Sequence, residues 1–142
     1  MIELSSIKFF LVYNSSKLPK EKLEYLQKQL LNTTAWRWDM IRFLPLKDPN
    51  ILLLISCCVG YFGIDRFLLE NYTIGIIKLI VLQLSIVSII PWILLFLEEQ
   101  TNWIFLCKIV FCIGVIWWIY DLCTIRRKTQ EYNYKLIIQT LN

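Results

Sequence analysis

The chain has 142 residues, of which 57% are hydrophobic and only 18% charged, with a net charge of +4. Soluble domains carry closer to a quarter charged residues, and the apolar residues here concentrate in 50–125, which argues for a membrane rather than a large soluble core. Histidine is absent, and the five cysteines (Cys57, Cys58, Cys107, Cys112 and Cys123) form no CxxC pair. A zinc site is therefore not expected, and the thiols read as small buried hydrophobes.

In chain order, Ile7–Tyr13 is apolar, β-branched and aromatic, and suits either a short strand or a helix. The run is too short, and lacks the small-residue cleavage site, for a signal peptide. From Pro19 to Asn32 the spacing of Leu23, Leu26, Leu30 and Leu31 predicts an amphipathic helix of about three turns, with proline at its first position. Trp36-Arg37-Trp38 to Phe43 interleaves aromatic and basic residues. Beside a membrane segment, that pattern fits the headgroup level rather than nucleic acid. Lys47-Asp48-Pro49 then breaks the chain.

Two runs reach the ~20 residues needed to cross a bilayer, 74–97 and 103–123. The polar turn Glu98–Asn102 joins them, so they should form an antiparallel hairpin. A third, shorter hydrophobic helix is expected at about 50–64. The fold class is thus an all-α membrane protein. Its parts are an N-terminal interfacial region (1–47), a transmembrane domain (48–125) and a basic C-terminal tail (126–142).

Cytoplasmic loops collect lysine and arginine. Arg126-Arg127-Lys128 therefore places the tail in the cytoplasm and Glu98-Glu99 outside. Residues 1–47 hold eight basic and four acidic residues and also prefer the cytoplasm. Three full passes would nevertheless export them. Either 50–62 re-enters on the same side, or the N-terminus crosses despite its charge; helix counting favours the second. Three N-glycosylation triplets, at Asn14, Asn32 and Asn71, would matter only in a secretory lumen.

Charges in the greasy region need partners or an interface. The hairpin brings Lys78 and Asp121 to the same end, with Asp65 and Arg66 close by; a Lys78–Asp121 pair is the natural guess, and snorkelling of each charge to the headgroups is the simpler reading and slightly preferred.

The ordered set Gly60-Tyr-Phe-Gly63-Ile-Asp65-Arg66-Phe67, Gly75-Ile-Ile-Lys78-Leu79 and Ile116-Trp117-Trp118-Ile-Tyr-Asp121 resembles the TM2 domain proteins, and the Lys47-Asp48-Pro49 entry and Arg127-Lys-Thr-Gln-Glu-Tyr-Asn133 exit resemble bacterial members, so the resemblance covers roughly 47–133. Two departures stand out. Leu68-Leu69-Glu70-Asn71 replaces the family's usual turn, and the stretch from about Val81 to Val115 adds a hydrophobic pass, so the family topology does not transfer. The resemblance points to Gly60, Gly63, Asp65, Arg66, Phe67, Lys78 and Asp121 as a structural or interaction motif. The glycines would allow close helix approach and Phe67 would anchor the turn in lipid.

The expected function is that of a small multi-pass integral membrane protein, in the cytoplasmic membrane if the source is bacterial. Its role would be structural or protein-binding, exerted through the Asp-Arg-Phe turn and the N-terminal region. Its partners would be the lipid bilayer and an unidentified protein, without nucleic acid, with a second copy of the chain as a further candidate. No nucleophile–base set or closely spaced carboxylate pair can be read, so neither an enzyme nor a cofactor is expected. The alternative is a subunit of an oligomeric channel or transporter, although Gln83, Ser85 and Ser88 are too sparse for a polar stripe.

Overall fold

The computed structural model describes residues 4–94 and 102–141. Among these residues every regular element is helical. The helices are α1 (Leu4–Tyr13), α2 (Leu23–Leu31), α3 (Ala35–Arg42), α4 (Pro49–Val59), α5 (Ile64–Leu68), α6 (Tyr72–Leu94) and α7 (Asn102–Leu141). Short 3-10 turns occur at Ser15–Lys17, Lys20–Lys22 and Gly60–Phe62. The strand-or-helix ambiguity at Ile7–Tyr13 thus resolves to helix. The reason is burial: Ile7 and Leu11, one helical turn apart, both enter a core.

The chain divides into two compact units. The first contains residues 1–52 together with 126–142. Its core is Ile7, Leu11, Leu18, Leu26, Leu30, Trp38, Ile41 and Ile137, so the C-terminal stretch helps to build the same core as the N-terminal helices. In α2 the buried Leu26 and Leu30 realise the amphipathic pattern. The Phe10 and Trp38 rings meet edge to face at 5.5 Å, a favoured aromatic geometry.

Asn133, fully buried on α7, ties this unit together. Its amide nitrogen donates to the carbonyls of Lys17 (2.9 Å) and Lys47 (2.8 Å), while its oxygen accepts from Lys47 N–H (3.0 Å). One side chain therefore satisfies three backbone groups in two connecting segments that lack ladder partners. Lys22 and Lys47 lie over the Tyr134 and Tyr132 rings at 4.6 and 4.0 Å.

Asp48 caps α4: its carboxylate accepts from Asn50 N–H at 2.8 Å, and Pro49 occupies the first helical position. Such an N-cap and proline pairing starts helices efficiently, because proline's missing N–H is not needed there.

The second unit, residues 53–125, contains the hydrophobic segments. Its helices carry isoleucine, leucine and phenylalanine outward, for example Ile76, Ile80, Leu84, Phe105, Ile113 and Ile116, while its fully buried residues include Asp65, Lys78 and Asp121. This inside-out distribution suits a hydrocarbon surround. Among the described residues, one helix, α7 over Lys108–Leu141, is long and apolar enough to cross a membrane. The two-span hairpin expected at 74–97 and 103–123 goes further than this. Its polar connection at Glu98–Thr101 lies outside the described residues.

Candidate functional site

The site is built on the turn between α4 and α6. After the 3-10 turn Gly60–Phe62, Gly63 takes a left-handed conformation (φ 75°). An L side chain is strained there. The Gly63 N–H donates to Gly60 O at 3.0 Å, and the Gly63 carbonyl accepts from Arg66 N–H at 2.9 Å, which starts α5. The helix lasts only five residues. It closes with Glu70 N–H on Phe67 O and Asn71 N–H on Arg66 O, each at 3.0 Å, and Glu70 also has a positive φ of 59°.

Glycines set how closely this turn approaches α6. A Cβ at Gly63 would lie 3.0 Å from the Gly75 carbonyl oxygen. One at Gly75 would lie 3.2 Å from the Phe67 ring and 3.3 Å from Arg66 Cβ. The Phe67 ring thus packs over Gly75, half-buried, and its centroid lies 6.3 Å from that of Tyr72. Gly60 performs the same service for α4, where an added Cβ would sit 2.7 Å from Ser56 Oγ.

With the turn seated, four charges converge. Lys78 Nζ lies 2.9 Å from Asp65 Oδ1 and 2.8 Å from Asp121 Oδ2. Arg66 pairs with Asp121 through its terminal nitrogen, and its Nε lies 3.6 Å from Asp65 Oδ2. Each cation therefore touches both carboxylates, and all four carboxylate oxygens face a cationic partner. All four side chains are buried. The quartet has no net charge, which is the arrangement that limits the cost of keeping ions away from water. It fastens α5, α6 and α7, since Asp65 and Arg66 come from α5, Lys78 from α6 and Asp121 from α7.

The structure therefore brings Gly60, Gly63, Asp65, Arg66, Phe67, Lys78 and Asp121 into one neighbourhood. The geometry is pairing rather than snorkelling, and Lys78 meets two carboxylates, not Asp121 alone. Sequence reasoning missed Ser56. Its carbonyl accepts from Trp118 Nε1 at 3.4 Å, linking α4 to α7. Its hydroxyl is buried and has no hydrogen-bond partner among the described residues. The signal was present as the small-xxx-small pair Ser56 and Gly60, a pattern that marks close helix contacts in membranes.

Residues 45–96 match the TM2 domain family. Comparison with curated proteins and with solved structures finds no significant match. The TM2 segment contains α4, the glycine turn and α5, together with Gly75 and Lys78 of α6. It supplies three of the four charges; the fourth, Asp121, comes from α7, outside the matched range. With the long apolar α7, the TM2 match marks the chain as a small membrane protein.

Proposed function

We propose that this TM2-domain protein crosses the bilayer twice, as a hairpin of 74–97 and 103–123, with both termini in the cytoplasm. We further propose that its Asp-Arg-Phe turn is a structural lock that presents a protein-binding surface. The single observation carrying the lock is the closed pairing of Asp65, Arg66, Lys78 and Asp121, all buried. Charges committed to one another are poorly placed to recognise an outside partner. The outward residues Phe62, Ile64, Leu68 and Tyr72 are the better candidates for contact.

Two observations support the two-pass topology. The eleven residues of α4 rise about 16 Å, roughly half of the ~30 Å hydrocarbon core. Residues 1–52 and 126–142 also share one compact unit, held by the Asn133 clamp and Ile137. Three full passes would put those two stretches on opposite sides of the membrane. The shared core and the basic composition of both stretches support this reading against helix counting, which favours an exported N-terminus.

The working role is protein interaction or scaffolding, without catalysis or a cofactor. Pull-down of the wild-type chain from detergent-solubilised membranes, against Ile64→Glu/Leu68→Glu and Asp65→Ala, tests it. The outward variant should lose captured partners while keeping its thermal stability, and Asp65→Ala should lose stability first. An unchanged profile in the outward variant would remove the binding surface. Ion leak through proteoliposomes containing a defined oligomer would favour a channel subunit instead.

A further inference from the structure

Two helices of the first unit are apolar on both sides. On α1, Ile7 and Leu11 enter the core, yet Phe9, Val12 and Tyr13 on the opposite face are 72–73% exposed. On α3, Trp38 and Ile41 are buried, while Trp36 and Met40 point outward and Phe43 at the helix end is 84% exposed. One apolar face per helix is what a water-soluble unit needs to make a core; a second needs another solvent. A groove of about 300 Å³ beside the α1 face is lined by Phe9, Tyr13, Lys17, Arg42, Leu44 and Leu46, while Trp36, Met40 and Phe43 line a separate, more open hollow that also holds Asp39. Lys8 and Arg42 stand exposed beside these aromatics.

The charge of the unit selects the occupant. Residues 1–52 and 126–142 carry twelve Lys and Arg against six Asp and Glu, whereas 53–125 carry three against five. All the excess positive charge therefore belongs to the unit with the exposed aromatics. Aromatic side chains prefer the headgroup level, and basic residues are drawn to anionic lipid. The bilayer is also the partner of the membrane reading above, since α7 is long and apolar enough to cross it.

We propose that the Phe9/Val12/Tyr13 and Trp36/Met40/Phe43 faces dock the first unit onto an anionic bilayer surface, with Lys8, Lys17 and Arg42 at the phosphate level. The contact is interfacial rather than spanning, since α1 and α3 have ten and eight residues. The proposal names the partner of the N-terminal region and rests on the membrane reading given above.

The test reconstitutes the full chain, one copy per nanodisc, in phosphatidylcholine alone or mixed with phosphatidylglycerol, and follows amide hydrogen exchange over 4–13 and 35–43. Docking predicts exchange slower by on the order of tenfold in the anionic discs, an effect that high salt reverses. Lys8→Glu/Arg42→Glu should abolish the difference, and Phe9→Ser/Phe43→Ser should weaken it. Exposed substitutions of this kind leave the core intact, and unchanged exchange over 23–31 verifies that. Equal exchange in both lipids overturns the proposal, as does protection that appears only with two copies per disc, which would point to a second chain on this face. Failure to enter nanodiscs at all would instead remove the membrane reading on which the proposal rests.

Discussion

Lys78 Nζ lies 2.8 Å from Asp121 Oδ2, with both side chains fully buried. The contact joins the TM2-matched segment to a helix outside it. A buried charge without a partner is costly, so each residue offsets the burial of the other. Asp65 and Arg66 complete the balance, and the glycine turn delivers them.

Breaking one member of the quartet should cost more than removing a pair. Asp121→Asn leaves two cations facing one carboxylate, and a loss of about 3–5 kcal/mol is expected. Lys78→Met/Asp121→Leu leaves Asp65 and Arg66 facing each other and keeps the site neutral. Thermal unfolding in detergent should therefore rank the double variant above Asp121→Asn. If the double variant proves the less stable, the quartet is not the lock described above.

Gly63 combines a left-handed backbone with a close neighbour. Gly63→Ala should destabilise by about 1–3 kcal/mol, because the strain of positive φ adds to a Cβ only 3.0 Å from Gly75 O. Gly75→Leu should cost more, since it displaces the Phe67 ring and the Arg66 stem. Circular dichroism melts of both variants check the ranking. Wild-type stability in Gly63→Ala would mean the turn is not seated as described.

That Lys78 and Asp121 could meet is legible, because two apolar runs of similar length joined by a short polar stretch are expected to bring their far ends together; that they pair rather than snorkel is decided only by the fold. The motif spacing also pointed to Asp65 and Arg66. Ser56 escaped notice because a lone serine in a greasy run looks neutral until its glycine partner is considered. The C-terminal stretch was harder still. Its buried positions in the first unit are Thr129, Asn133 and Ile137, at helical spacing, but two of the three are polar and hide the stripe from a hydropathy reading. Sequence therefore presented a polar tail where α7 continues to Leu141. At Ile7–Tyr13 the local residues suit strand and helix equally, and only the tertiary core decides.

Asn133 is the test of that hidden stripe. Asn133→Ala leaves the Lys17 and Lys47 carbonyls and the Lys47 N–H without this partner, at about 1–3 kcal/mol for each group that water does not reach. Asn133→Asp should be worse, because it turns an acceptor toward two carbonyl oxygens. Limited proteolysis should then cut sooner near Lys17 and Lys47. A resistant Asn133→Asp protein would show that the clamp contributes little.

The topology bears most directly on the whole account, and side-specific cysteine labelling reads it. Lys20→Cys and Gln100→Cys are introduced separately into the full chain, and a membrane-impermeant maleimide is applied to intact and then to opened cells, with the parent chain as background. Two passes with both ends inside predict that position 100 reacts in intact cells and that position 20 reacts only after opening. Labelling of position 20 from outside would place the N-terminal helices across the membrane from the C-terminal stretch, and would contradict the shared core that Asn133 and Ile137 hold together.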